Sequence, residues 1–383
     1  MDRRSFNIRH YAALAATVQH GSVSAAAKAI HLTQPALTQA IARLESDLEC
    51  SLFERGPTGM TPTEPALLLA PRAEAAIAHV GSPRVTGTQM RAFLAVARAG
   101  SYAEAAANTG LSAASLHRAI ADLSVALGQR LIDRRGRSIA LTTQGQRRAR
   151  GFGLAMAELR AGLDEVADWQ GKAAGRIVIG AMPLSRARWL PAALAEFTRK
   201  RPQVDIAVIE GSYAELSGPL RDGEIDFMLG ALREADPPDD LDQQPAFIDR
   251  PQLIMRPGHP LLVDGEKFES ARLADYPWIL PGRDTPLRHY WEDMMRRCGI
   301  EPPHVGIECG SVLTIRELLL AGDGLTLLSP DQLRVELESG VLASAPCPVE
   351  VQRAIGIITR RDWRPTRSQA TMLELLREQA EAN

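Results

Sequence analysis

The chain has 383 residues, 45% of them hydrophobic and 23% charged, with a net charge of -2. That is the composition of an ordinary globular protein with room for two or three domains of roughly 100 to 200 residues each. Its apolar runs are too short and too interrupted to span a bilayer, and MDRRSFNIRH leads into YAALAATVQHG without a cleavage-like site, so no membrane partner and a cytoplasmic location are expected.

The small net charge conceals an uneven distribution. Residues 1–80 hold 7 Lys+Arg and 7 Asp+Glu, residues 81–174 hold 13 and 7, and residues 175–383 hold 24 and 32. A basic segment joined to an acidic body is the split expected of one module that meets phosphates and another that does not. Cys50, Cys298, Cys309 and Cys347 lie far apart with no C-x-x-C pair, which points to buried or incidental thiols, without a metal cluster, a disulfide framework or a cofactor.

In chain order, Tyr11, Leu14, Ala15 and Val18 lie at helical spacing and give a first helix. The stretch 21–45, GSVSAAAKAIHLTQPALTQAIARLE, then reads as a helix-turn-helix. Ser22 or Ser24 caps its first helix, Ala25, Ala26, Ala27 and Ala29 give that helix a smooth face, and the turn falls at His31-Leu32-Thr33. Thr33 caps the second helix, with Pro35 in the first turn where a missing amide hydrogen costs nothing.

That second helix keeps Leu37, Ile41 and Leu44 on one face and presents Gln34, Thr38, Gln39 and Arg43 on the other. Gln pairs bidentately with adenine, Thr touches a thymine methyl, and Arg reads guanine or a phosphate. A plain solvated helix face is the alternative. Leu48, Leu52 and Phe53 turn inward next, and GPTGMTPTEP, with Arg55 just before it, looks like a hairpin wing resting on DNA backbone. A short helix over 66–79 follows, with Leu68, Leu69, Ala73 and Ile77 as its apolar side, and 81–87 is a linker.

The chain then repeats itself. A shift of 79 residues lays Leu14 on Phe93, Gly21-Ser22 on Gly100-Ser101, Leu37 on Leu116, Ile41 on Ile120, Leu44 on Leu123 and Arg55 on Arg134. The register slips by about two in the wing, where Met60-Thr61 answers Leu141-Thr142. A second winged helix-turn-helix is therefore expected. It carries Ala113, Ala114 and Asp122 where copy one has Gln34, Pro35 and Arg43, keeps His117 and Arg118, and adds Arg134, Arg135, Arg137, Arg147, Arg148 and Arg150 in its wing stretch. This suggests base readout by copy one and backbone grip by copy two; the alternative for copy two is a relic used in dimerisation.

From about Gly145 to Trp169 the pattern becomes one long helix with apolar positions Leu154, Leu159, Leu163, Val166 and Trp169. Its length suits pairing between subunits, or the short helix after copy one folds back along it. After Gly171 to Gly175, strands such as RIVIGAM, VDIAVIEG and DFMLGAL alternate with helices, and a second such set ends with AIGIITRR and SQATMLELLREQAEA. This order gives a mainly parallel sheet and two similar lobes with a ligand cleft between them.

The expected organisation is multi-domain, α+β then α/β. It runs as winged helix 1–65, short helix and linker 66–87, winged helix 88–143, linker or dimerisation helix 144–172, and effector-binding domain 175–383. That last domain comprises lobe I, 175–251 with 352–383, and lobe II, 252–351.

With AAAKAIHLTQPALTQAIARLESDL and LFER at one end and IVIGAM, LPAALAEFTRKRPQVDIAVIEG, LRDGEIDFMLG, GHPL and LLLAGDGLTLL at the other, the chain resembles the LysR-type transcriptional regulators over nearly its whole length. PWILPGRDTPLR and TRRDWRPT look most like regulators of sugar or aromatic catabolism within that family. The duplicated winged module departs from the family pattern of one.

The resemblance implies a DNA-binding homo-oligomer, dimer or tetramer, that is not an enzyme. It implies RNA polymerase as a further partner and a periplasmic-binding-protein-like effector domain holding a small organic acid, aromatic acid or sugar. The matching effector positions are Met182, Pro183, Leu184 and Ser185 after the first strand, Thr285 and Arg288 at one helix start, and Ser311 and Val312 at another. Hydroxyls beside free amide hydrogens and a guanidinium fork suit an anion; capping hydroxyls and a surface charge are the plainer alternative. A binding or enzymatic α/β domain tethered to a DNA module is the rival function, and no phosphate loop, metal-spaced histidines or nucleophile-base motif supports the enzymatic form.

Overall fold

A computed structural model describes residues 7–56, 59–135, 138–172, 175–233, 237–262 and 268–381. It divides into two compact units that part at Gly175, the short segments Gln203–Asp205 and Arg221–Glu224 grouping with the first.

The first unit opens with helices α1 (Ile8–His20), α2 (Val23–Ala29) and α3 (Gln34–Leu48), a hairpin of β1 (Phe53–Gly56) and β2 (Gly59–Pro62), and helix α4 (Glu64–Val80). Side chains set the helix starts. Ser22, and not Ser24, caps α2 by accepting from the Ala25 amide, and Thr33 caps α3 by accepting from Ala36 at 3.4 Å. Tyr11, Leu14, Ala15, Leu37, Ile41, Leu44, Leu48, Leu52 and Phe53 are all buried, whereas Val18 is half-buried and only Ala26 and Ala27 of the α2 alanines face the core.

The same order returns as α5 (Gly87–Ala99), α6 (Tyr102–Thr109), α7 (Ala113–Leu127), β3 (Ile132–Arg135), β4 (Ser138–Leu141) and α8 (Thr143–Trp169). The expected slip in the hairpin does not occur. Phe53 pairs with Pro62 as Ile132 pairs with Leu141, and the Met60 amide donates to the Gly21 carbonyl as Ile139 donates to Gly100. Met60 therefore answers Ile139, not Leu141. Backbone bonds fix register more firmly than a chance likeness of side chains in a short loop.

The helix after the first hairpin, expected over 66–79, spans Glu64–Val80 and lies antiparallel along the 27-residue α8. A Cβ on Gly151 would stand 2.7 Å from the His79 carbonyl oxygen, and one on Gly162 would stand 2.6 Å from Leu69 Cδ1. Missing side chains let the backbones approach. Phe152, Ala155, Leu159, Leu163 and Val166 are buried within the chain, so the fold-back alternative is the arrangement found, and this apolar face is not left for pairing with another subunit. Of the expected positions, Leu154 is half-buried and Trp169 is 52% exposed. Leu68 and Ile77 of α4 are likewise half-buried, while Arg72 is buried.

The second unit runs β5 (Arg176–Ala181), α9 (Trp189–Lys200), β6 (Asp205–Glu210), α10 (Tyr213–Arg221), β7 (Phe227–Ala231), β8 (Leu241–Asp249), β9 (Gln252–Met255), β10 (Ile279–Leu280), α11 (Pro286–Arg297), β11 (Ile307–Glu308), α12 (Val312–Leu320), β12 (Thr326–Leu328), α13 (Arg334–Glu338), β13 (Ala343–Ala345), β14 (Arg353–Arg360) and α14 (Arg367–Glu381). Lobe I has the sheet order β6-β5-β7-β14-β8, with β5 and β7 parallel but β14 antiparallel to both of its neighbours. Lobe II has β9 antiparallel to β12 and β13, with β10 and β11 parallel. The sheets are mixed rather than mainly parallel, and the lobes are unequal. The nine-residue β8 is not announced by its sequence, because LDQQPAFID carries Pro245 and little apolar alternation. A proline fits there because β8 is an edge strand with an irregular register.

Trp278, Trp291, Met294, Met295 and Leu319 form the core of lobe II. Beside it His259 is fully buried, its Nδ1 accepting from the Leu261 amide at 3.0 Å and its Nε2–H facing the Asp323 carbonyl at 3.2 Å. Burial lowers its pKa below the ordinary histidine value. A lowered value means that the unfolded chain takes up the proton first, so stability is complete above the unfolded value near ~6.5 and declines as pH falls below it. The full-length protein is expected to melt at a lower temperature below about pH 6 than above about pH 7, with a flatter dependence for His259→Gln. Equal pH slopes for the two proteins would contradict this.

Candidate functional site

Leu37, Ile41 and Leu44 anchor α3 from beneath, which turns its opposite face outward. Thr33, Gln34, Pro35, Gln39 and Arg43 are exposed and Thr38 is half-exposed. Arg43 is 61% exposed and touches Asp47 at 3.2 Å; an exposed pair of this kind holds weakly, so a phosphate or base edge competes readily for the guanidinium. The Glu45 carboxylate accepts from the Leu52 amide at 2.8 Å and from Phe53 at 3.4 Å, tying α3 to the start of the hairpin.

On α7, Ala113, Ala114, His117, Arg118 and Asp122 are all exposed, and the His117 ring lies 5.3 Å from Tyr102. The side chains of Arg55, Arg134 and Arg135, and the whole of Arg137, lie outside the described residues. Arg147, Arg148 and Arg150, expected with the wing, belong instead to the first turns of α8. Arg148 is engaged internally, donating to Gln129 at 3.0 Å and to the Val80 carbonyl at 3.3 Å, and Arg150 is in an ion pair.

In the second unit, β10 runs parallel to β11, and a parallel bridge from Trp278 to Leu325 joins the segment leading into β12. Their carboxyl ends therefore share one edge. The turn after β10 carries Thr285 at the start of α11, the turn after β11 carries Ser311 and Val312 at the start of α12, and the turn after β12 carries Pro330–Leu333. This last turn meets Pro183–Arg186, the turn that follows β5 in lobe I. The two lobes thus bring the expected residues to a common edge.

Each hydroxyl at this edge already has a structural partner. Thr285 accepts from the Arg288 amide at 3.4 Å and donates to the Gly282 carbonyl, Ser311 accepts from the Thr314 amide, and Ser185 donates to the Met182 carbonyl at 2.8 Å. Met182, Leu184 and Ser185 are buried, Pro183 and Val312 half-buried and Ser311 exposed. Arg288 is 4% exposed and not a surface charge; it stands over Trp291 at 5.0 Å, with Glu292 at 3.4 Å and Glu308 at 3.8 Å. One of its nitrogens, Nη1, makes no hydrogen bond among the described residues. Sequence reasoning missed Glu292 and Glu308; the i,i+4 spacing of Arg288 and Glu292 was an available signal. The four cysteines are half-buried, and burial pushes the Cys347 thiol up to about 12.

The family model of the LysR substrate binding domain matches residues 170–381, and that of the bacterial regulatory helix-turn-helix protein, lysR family, matches 8–67 and 88–146. Over 368 residues the chain is 31% identical to the HTH-type transcriptional regulator GalR of Pseudomonas putida, covering 92% of each. It is 25% identical over 298 residues to the HTH-type transcriptional regulator PcaQ of Agrobacterium fabrum, covering 78% of this chain and 96% of that one. The solved structure of ArgP from Mycobacterium tuberculosis is similar in fold, with a TM-score of 0.58 at 21% identity over 77% of this chain and 97% of that one.

Proposed function

Because the chain belongs to the LysR-type family of transcriptional regulators, we propose that it reads duplex DNA with α3 and that a small organic acid, aromatic acid or sugar in the α/β unit governs that reading. The observation that carries this is the outward face of α3, where Gln34, Thr38, Gln39 and Arg43 stand over a buried Leu37-Ile41-Leu44 stripe. The effector acts only as far as it binds one arrangement of the protein better than another. In this reading the protein works in the cytoplasm as a homo-oligomer, with RNA polymerase as a further partner and no catalytic step. Among the described residues no helix is long and apolar enough to cross a membrane.

The module is read as two winged helix-turn-helix units in tandem. Support comes from the double family match and from the P. putida relative, whose alignment leaves too little of this chain uncovered to omit either match. Copy one supplies base readout through Thr33 to Arg43; copy two supplies mainly backbone affinity through Arg134, Arg135 and Arg137, with His117 and Arg118 on its helix. Gel shifts of the full-length protein against a duplex selected from a random pool test the proposal, with the scrambled duplex as competitor. Sequence preference that shifts with an added acid or sugar supports it; binding indifferent to sequence, or turnover of the added compound, overturns it.

The effector is placed at the edge formed by Met182 to Ser185, Thr285, Arg288, Ser311 and Val312. A carboxylated effector gains Arg288 by displacing Glu308, the more distant of its two acidic partners. Arg288→Ala is expected to weaken such an effector by about tenfold in calorimetry, the loss of one charge-assisted contact of ~1.5 kcal/mol. Unchanged affinity would remove Arg288 from the site.

A further inference from the structure

The two helix-and-hairpin units of the first part of the chain are joined by reciprocal contacts. At one end of the seam, the carbonyl of Val80, the last residue of α4, accepts from Arg148, which also holds Gln129 just beyond the end of α7. At the other end, Gln170, just beyond α8, donates to the carbonyl of Leu48, the last residue of α3, at 2.8 Å, and Lys172 pairs with Glu49 at 2.7 Å. The end of α8 thus lies against the reading helix of the other copy, and the end of α4 is tied through Arg148 to the residues that follow α7. Between these ends, Arg72 of α4 bridges Glu158 and Glu165 of α8, and Gly151 and Gly162 hold the two backbones close. This is the contact pattern of a twofold pair, formed inside one chain.

The two heads so clamped are unlike. Where α3 offers Gln34, Pro35 and Arg43, α7 offers Ala113, Ala114 and Asp122 at the positions 79 residues later. An amide and a guanidinium at one head are replaced by two methyls and a carboxylate at the other. The second head can touch thymine methyls and, through Arg118, a guanine or phosphate, but it lacks the amide that favours adenine.

We infer that one chain is a complete two-headed DNA reader, and that its operator is a duplex carrying two unlike half-sites at a spacing set by the α4–α8 seam. This rests on the DNA-reading function proposed above. A symmetric pair of identical heads, one from each of two chains, reads an inverted repeat; an internal pair of unlike heads does not.

The test is selection of duplexes from a randomised pool by the full-length protein, followed by competition binding. Each half-site of the first kind should recur with an unlike partner at constant spacing. Replacing the partner with an inverted copy of the first half-site, or inserting half a helical turn between them, should weaken binding about tenfold or more. Gln34→Ala should flatten base preference in one half-site, and His117→Ala with Arg118→Ala in the other; all these side chains are exposed, so the fold tolerates their loss. Half-sites that are inverted copies of one another, bound as tightly, or variants that both flatten the same half-site, overturn the inference and leave the regulator standing. A selection with no sequence preference overturns both.

Discussion

Arg72→Ala is expected to cost about 3 kcal/mol in the unfolding free energy of the first unit, the low end of the loss for breaking a buried ion pair, because Glu158 and Glu165 are themselves half-buried. Arg72 is 5% exposed and meets Glu165 through Nη2 at 2.6 Å and Nε at 3.2 Å, with Glu158 at 3.1 Å from Nη1. Burial alone would lower its pKa, but the two carboxylates outweigh burial and hold it above the ordinary value. Truncation would take the shared cation away from Glu158 and Glu165, both of which project from α8 into the seam. Arg72→Met combined with Glu158→Gln and Glu165→Gln removes charge from both sides and should recover most of the loss. Urea unfolding followed by circular dichroism measures both; a loss below about 1 kcal/mol for the single variant would contradict the clasp.

Gln34→Ala with Arg43→Ala is expected to erase most of the discrimination between a duplex carrying the selected first half-site and one in which that half-site is scrambled. A well-placed side-chain contact to a base is worth about 1–3 kcal/mol of discrimination, so two together carry on the order of a hundredfold. Neutralising Arg134, Arg135 and Arg137 should instead weaken all duplexes alike and flatten the salt dependence by roughly one unit of slope per lost phosphate contact. Competition gel shifts at several salt concentrations separate the two patterns. The reverse assignment would show that the copies divide their labour the other way.

What the sequence made legible was local. The start of α3 follows from Thr33 and Pro35, and its buried stripe follows from the spacing of Leu37, Ile41 and Leu44, because capping and helical periodicity act within one or two turns. The repeat was also legible, since a 79-residue shift carries core positions onto core positions. The hairpin register is not legible from side-chain likeness, because backbone bonds to Gly21 and Gly100 decide it.

Nonlocal features were less accessible. Edge strand β8 was hidden by Pro245, and the antiparallel return of β14 beside it depends on pairing across more than a hundred residues. The Arg72 clasp joins residues 86 and 93 positions apart, so nothing in either helix by itself announces it. At the proposed effector edge, Thr285 and Ser311 are readable as caps from their own neighbourhoods. That β10, β11 and β12 align their ends there, and that Arg288 is buried between two glutamates, came only from the packed lobe.

Atom-level interference on the selected duplex reaches the DNA-reading claim most directly. Replacing adenine by 7-deazaadenine removes the N7 acceptor that a glutamine amide would engage, without changing base pairing. Wild-type protein should lose about tenfold in affinity at one or two adenines, and Gln34→Ala or Gln39→Ala should be indifferent to the same replacement. Wild-type binding that ignores every such replacement, or variants that lose as much as wild type, would contradict base readout by the amide face of α3.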